Sequence, residues 1–378
     1  ETLRGSARAK DLELLHQLIH LAFVRPRFDA GQLETVRRNR IQSVEGALAS
    51  PQGRFGLRLG ELYADGNPRL RSSTVRELRS VTIEEIREVY RGRFRDPRAS
   101  ALYIVGTFGP SEVRTLAERY LAGIPAPRSA EASASDASAT GDTDDGSTAA
   151  GGDDAGSVGS RRFVEVVDSG YDEPPKGVVD EILRAGSEPV GQTVAVLHAP
   201  YRWSREENHR FNSLGDLLDI RLRERIREEA GGSYSVGAGG WRVRRPEPWS
   251  YMQIAFGMDP ERREELTRIA FEVVEELRTT TPARDYVERI KAQQLEQHRQ
   301  SVQTNGYWLN TLDFYVRHGR DLATIPEYPQ LVESLTAEDL QRTARRYLDP
   351  DRRIQLTLLP EAGAEAGADT DAGAEAPT

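Results

Sequence analysis

The sequence predicts an α+β protein of two tandem related domains, the first lacking its N-terminal strands. Three observations carry this. After residue 162, strand-like and helix-like stretches fall in segregated runs instead of alternating one by one. Segments 81–106 and 335–360 repeat one pattern: a Thr cap, an acidic first turn, a basic aromatic end, an Asp-Pro break and a strand-like run. Residues 128–161, built of Ala, Ser, Gly, Asp and Thr, bury too little to offset chain entropy. The expected division is therefore a mostly helical domain at 1–127, an acidic disordered linker at 128–161, a second α+β domain at 162–360 and an acidic disordered tail at 361–378.

In the first domain, residues 10–24 place Leu14, Leu15, Leu18, Ile19, Leu21 and Ala22 on one broad apolar face, which predicts a mostly buried helix ended by Pro26. Asp29 is placed to cap a helix from Ala30 to about Leu48, and a third runs from Pro51 to Asp65-Gly66. Thr82 with Glu85 forms a capping box for a helix through Tyr90 and Phe94. Residues Ser100 to Gly106 read as a strand, and Ser111 to Leu121 as a helix. One strand is too few for a sheet, so the missing strands are expected upstream of Glu1. The chain opens without Met and is expected to be a piece of a longer one.

In the second domain, RFVEVV, VVDEILRAG and TVAVLHAP read as strands, the last two paired through Ser187-Glu188-Pro189. Tyr251 to Met258 alternates cleanly and predicts another. Helices are expected from Pro260 to Leu277, Asp285 to Val302, Asn305 to Arg317 and Thr336 to Tyr347, with a final strand from Ile354 to Leu359. The organising stretch runs from Phe211 to Val243. Phe211, Leu214, Leu218, Leu222 and Ile226 recur every three or four positions and predict an amphipathic helix. Gly231 and Gly232 end it, with Arg225 and Arg227 near the unsatisfied carbonyls of the last turn. An uncharged, glycine-weakened edge strand follows, through Trp241 and Val243.

Arg227 and Tyr234 stand seven residues apart across that turn. Two reaction-ready donors in a water-shielded site stabilise negative charge developing on a carbonyl oxygen. The plainer alternative is that Arg227 only caps the helix and Tyr234 only packs. The strand at 233–240 offers an edge for a peptide substrate, which makes Gly232, Ser233 and Ser235 candidate substrate contacts. Trp203, Trp241, Trp249 and Trp308 read as core anchors or as peptide contacts.

Composition excludes several classes. Residues 129–160 hold seven acids and 361–378 hold five, neither with a base, so the net charge of −9 belongs to these stretches and does not indicate a cationic partner. The arginines are spread over helix faces without interleaved aromatics, which argues against a nucleic-acid surface. No apolar run is long enough for a membrane span. The absence of cysteine excludes disulfides, thiolate nucleophiles and cysteine metal sites.

The chain resembles the C-terminal half of a zinc peptidase of the insulinase/pitrilysin family. The resemblance is carried by HLAFVRPRFD (20–29), the 81–106 segment, LLDIRLRERIREEAGGSYSV (217–236), FGMDPERREEL (256–266) and NGYWL (305–309), the 217–236 stretch being the most specific. It implies four similar α+β domains, each a mixed or antiparallel sheet with helices on one face, grouped in two halves that close around a peptide. The two domains here would be the third and fourth. The first half carries His-x-x-Glu-His and a distant Glu, which hold zinc and activate water. The last domain supplies an Arg and a Tyr to the substrate carbonyl, and Arg227 and Tyr234 match in type and spacing. The implied function is a non-zinc half, inactive alone, partnered by a zinc-bearing half and a peptide substrate, with a bacterial periplasmic or envelope address. The alternative within the same fold is a non-catalytic scaffold or peptide-binding subunit.

No His-x-x-Glu-His occurs in the chain. Only His16 and His20 have ligand-like spacing, with Glu13 on the same helix face, and packing is the simpler role for both. No metal is expected in this half.

Overall fold

The computed structural model describes residues 2–67, 70–94, 96–126, 174–231, 235–244 and 247–361. The expected linker, the RFVEVV strand and nearly all of the acidic tail lie outside them. Helices α1 (Leu12–Val24), α2 (Ala30–Ala49), α3 (Pro51–Ala64), α4 (Val75–Ser80), α5 (Ile83–Arg93) and α6 (Pro110–Tyr120) come first. Strands β1 (Val178–Arg184) and β2 (Gly191–Pro200) follow, then α7 (Arg205–Leu222), β3 (Ser235–Val243) and β4 (Trp249–Met258). The chain ends with α8 (Arg263–Thr279), α9 (Arg284–Ser301), α10 (Asn305–Arg317), α11 (Tyr328–Glu333), α12 (Ala337–Tyr347) and β5 (Arg353–Leu359).

Two compact units form, and they do not follow chain order. One gathers the described residues of Glu1–Arg37, Arg79–Val167 and Trp308–Asp313; the other those of Arg38–Leu78, Asp168–Tyr307 and Phe314–Thr378.

In the first unit, α1 packs on α6 through polar contacts. Gln17 donates to the Tyr120 hydroxyl at 3.1 Å, and that hydroxyl donates to Glu13 at 2.6 Å. Phe28 meets the Tyr90 ring edge to face, Tyr90 stacks on Phe94, and the Tyr90 hydroxyl donates to the Ala22 carbonyl. Helix α1 is not mostly buried: only Leu12 and His16 are enclosed, while Leu14, Leu18 and Leu21 are 53%, 56% and 46% exposed. The face toward α6 takes one stripe of the helix, and the leucines lie on the other. Residues 100–106 form no strand either. A β-rich run needs a ladder partner, and this unit has no strand among its described residues.

The second unit is built on a five-stranded mixed sheet in the order β1-β5-β2-β4-β3. The expected pairing of β1 with β2 does not form. β5 lies between them, parallel to β1 and antiparallel to β2, with Ile354 opposite Val179 and Val196. The connection through residues 185–190 is long enough to step over one strand position, so turn residues alone did not specify adjacent strands.

Each sheet face buries its own core. On one face lie α7, α8 and α12. The predicted stripe Phe211, Leu214, Leu218, Leu222 and Ile226 is wholly buried there with Met252, Ile254, Val273 and Tyr347. Each such side chain contributes roughly 1.5–3 kcal/mol by leaving water. Thr336 and Asp339 form a capping box at the start of α12, matching that of Thr82 and Glu85 at α5. The opposite face is covered by α3, whose Phe55 packs against Val194, Val196, Trp249 and Leu356. Arg58 of α3 adds a bidentate pair to Glu181 of β1, both bonds 2.7 Å. Thus a helix expected in the first domain covers the sheet of the second unit.

Candidate functional site

Ser204 starts α7 by accepting from the Glu207 amide. The helix then runs along β3 with its small residues turned to the strand. A methyl group on Gly240 would collide with the Phe211 ring, and one on Gly215 would come to 3.9 Å from the Gly239 Cα. Glycine at 240 is thus a packing requirement that lets helix and strand backbones approach. One helix step further, Asp219 Oδ1 accepts from the Ala238 amide at 3.0 Å, and Asp219 Oδ2 pairs with Arg223 at 2.9 Å. Phe211, Gly215 and Asp219, four residues apart, therefore follow β3 backward from Gly240 to Ala238.

Polar contacts fix the other side of α7. Gln294 of α9 accepts through Oε1 from His209 Nε2 at 2.8 Å and donates through Nε2 to Ser213 at 3.0 Å and Asp216 at 2.7 Å. Burial raises the Asp216 carboxyl above its usual range and lowers the His209 imidazole.

After Leu222 the helix widens into a π-helical turn, Arg223–Glu229. Such turns concentrate at functional sites. It ends where Ala230 donates to the Arg225 carbonyl and Gly231 takes the left-handed φ of 60°. Arginines occupy 221, 223, 225 and 227, and three are neutralised. Arg221 pairs with Glu224 and Glu276; burial alone would lower its pKa, but these partners raise it. Arg223 pairs with Asp219, and Arg225 with Glu229 and Glu272. Arg227 is exposed and has no hydrogen bond or ion pair among the described residues.

Tyr234, Gly232 and Ser233 lie outside the described residues. Ser235 is exposed and opens β3, the edge strand. Beside it, a shallow depression of about 480 Å³ lies over Gly237–Trp241 of β3 and Gln253 and Ala255 of β4. Trp241 stacks on Tyr251 at this face, Trp249 is buried in the core, and Trp203 packs on Phe314. Asp219 was not foreseen as part of the site. Its signal in the sequence was an acid four residues before Arg223, continuing the line from Phe211 and Gly215.

The histidine pair serves packing. His16 is buried with Nδ1 2.8 Å from the Leu12 carbonyl, and His20 Nδ1 is 2.7 Å from the Tyr120 carbonyl. Glu13 accepts from Tyr120. These residues do not fit a zinc ion, and no group of three metal-binding side chains forms among the described residues. No helix among them is long and apolar enough to cross a membrane.

Comparison with known proteins bears on this geometry. A probable zinc protease PqqL of Haemophilus influenzae is 32% identical over 97 residues, 25% of this chain and 10% of that protein. The periplasmic protease PqqL of Escherichia coli superposes over 94% of this chain and 36% of its own, with a TM-score of 0.72 at 19% identity. The first half of that protease superposes as well, over 96% of this chain and 73% of its own, with a TM-score of 0.66 at 12% identity. This chain therefore spans about a third of the full protease it resembles, and the first half of that protease shares its fold. A sequence profile described as the peptidase M16 inactive domain matches residues 80–294, more than half of the chain, and the chain belongs to that family.

Proposed function

We propose that this chain is the C-terminal, non-zinc half of a zinc endopeptidase, built of that enzyme's third and fourth domains and inactive alone. A zinc-bearing half would supply the activated water. This chain would close over the peptide and supply two donors to the scissile carbonyl. Arg227 would orient and polarise the carbonyl, and the Tyr234 hydroxyl would donate to the oxygen as negative charge develops on it. Gly232, Ser233 and Ser235 would contact the peptide beside them. The periplasmic address of the Escherichia coli relative supports the same cell-envelope location here.

The carrying observation is the unpartnered Arg227. In a run of arginines otherwise neutralised by Asp219, Glu224, Glu229, Glu272 and Glu276, one guanidinium is left exposed at the widened helix end. In the complete enzyme, Tyr234→Phe is expected to lower kcat about 100-fold while KM changes little, since one oxyanion donor is worth about 10²–10³ in rate. A matching loss in kcat and in substrate affinity would instead indicate ground-state binding.

The family description as an inactive domain favours a second reading, a scaffold or peptide-binding subunit of the same fold. The coding sequence upstream of Glu1 discriminates them. An in-frame His-x-x-Glu-His supports the enzyme, and its absence supports the scaffold.

A further inference from the structure

We infer that the first unit carries a binding pocket for the carboxylate end of a peptide whose last side chain is aromatic. The pocket, about 890 Å³, lies between the turn after α1 and one face of α5, and every residue that lines it belongs to this unit. That volume is in the range of sites that enclose small ligands. Pro26 stops α1 and turns the chain, and Phe23 and Phe28, on either side of the turn, form one wall. Arg87, Tyr90, Arg91 and Phe94 recur at helical spacing along α5 and its C-terminal cap and supply the other.

Aromatic rings and guanidinium groups give the pocket two chemistries. Phe28 meets Tyr90 with centroids 5.6 Å apart, Tyr90 stacks on Phe94 at 4.6 Å, and Phe94 meets Phe23 edge to face at 6.0 Å. The Tyr90 hydroxyl is occupied by the Ala22 carbonyl, so Tyr90 offers the pocket its ring. An aromatic guest fits such a surface, because rings pack on one another edge to face or offset. The cationic part is Arg25, Arg87 and Arg91, and among the described residues no carboxylate lines the pocket. Arg25 and Arg91 are exposed and have no side-chain hydrogen bond or ion pair among the described residues. Arg87 lies over the Phe28 ring, 5.4 Å from its centroid. Its ion-pair partner Glu84 is mostly exposed and stands 3.9 Å away, beyond the roughly 2.7–2.9 Å of a charge-assisted bond. Three guanidinium groups are thus open to a carboxylate, which such forks take with two parallel bonds.

Spacing selects a peptide end over an internal acidic residue. A carboxylate at Arg87 sits beside the ring surface at Phe28, and in a terminal residue the carboxylate and the side chain leave the same Cα. In an extended peptide the side chain next to an aromatic one points to the opposite side. The one after it, on the same side, lies roughly 7 Å along, further than the 5.4 Å between the Arg87 guanidinium and the Phe28 ring. A peptide as guest rests on the reading of this chain as half of an endopeptidase. The pocket goes beyond that reading, since neither Arg227 nor Tyr234 belongs to it.

The test titrates the full 378-residue chain by calorimetry with a short glycine-serine peptide that ends in phenylalanine and a free carboxylate. Binding is expected, and a terminal amide, or alanine in place of the phenylalanine, should weaken it about tenfold or more. Raising the salt concentration should weaken the free acid and leave the amide unchanged. Arg25→Ala and Arg91→Ala each alter an exposed side chain with no partner to lose, so the fold is retained, and each should weaken the free acid about tenfold. Equal affinity of acid and amide, or no heat of binding at about 1 mM peptide, overturns the proposal. Unchanged affinity in both arginine variants does so too. So does equally tight binding of an amidated peptide with glutamate before its phenylalanine, which would assign the arginines to an internal acid. These affinities do not involve the zinc-bearing half, whereas the Arg227–Tyr234 reading is judged on kcat in the complete enzyme, so either can fail without the other.

Discussion

Both ring nitrogens of His198 are buried without a hydrogen-bond partner among the described residues, between the rings of Trp249 and Tyr251. Burial, seconded by the Arg352 guanidinium and opposed by Asp349, pushes its pKa down to about 4. The unfolded chain takes up that proton first, near pH 6.5. The stability held by neutral His198 is therefore complete above pH 6.5 and is lost as pH falls toward 4, by up to about 3 kcal/mol. His209, lowered by burial as well, acts in the same direction. The melting temperature should drop between pH 7.5 and pH 5, and His198→Phe should flatten that drop; an equally steep profile in the variant would remove His198 as the cause. Nothing in TVAVLHAP marks this histidine, because a strand covered on both faces reads as a continuous apolar run. Arg227 was legible from its place before the helix-ending glycines. Asp219 was not, since its partner is a backbone amide nineteen residues away and leaves no side-chain signature.

Helix α3 shows what periodicity reveals and what it omits. Ser50 accepts from the Gly53 amide, Pro51 takes the first turn, and Asp65 closes the helix in the left-handed region, all as the sequence suggests. Which surface the helix covers was invisible, because an apolar stripe fits any apolar sheet. Phe55 lies against residues more than a hundred positions away. Phe55→Ala should destabilise the second unit by about 3–5 kcal/mol, measured by denaturant midpoint, as for other large buried aromatics. A change below about 1 kcal/mol would mean that α3 is only loosely docked. The run 100–106 gives the converse lesson. Its strand propensity is real, its repeat counterpart β5 is a strand, and yet it forms no ladder, because pairing needs a second strand that the described residues of its unit do not provide.

For the molecule as a whole, the second unit requires residues from before the acidic stretch. A chain restricted to residues 168–361 leaves Val194, Val196, Trp249 and Leu356 uncovered, a contiguous apolar face. It should bind a hydrophobic dye and melt without cooperativity, and a peptide of residues 38–67 supplied in trans should restore a sharp transition. A cooperative transition in the shorter chain would show that α3 is dispensable. The α+β class and nearly every helix of this unit were readable, because helix caps and periodicity are local. The strand order was not, since insertion of β5 between β1 and β2 is decided by pairing across more than 150 residues.

That insertion carries a cost during synthesis. β5 is made after everything else in the sheet but occupies its second position. While residues 259–352 are being added on the ribosome, β1 lacks a hydrogen-bonded neighbour and β2 shows one bare edge. The nascent protein holds open a slot shaped for one specific strand. Another molecule's β5 fits that slot as well as its own, so slow translation or crowding on a polysome raises the rate of strand exchange between copies in competition with correct closure.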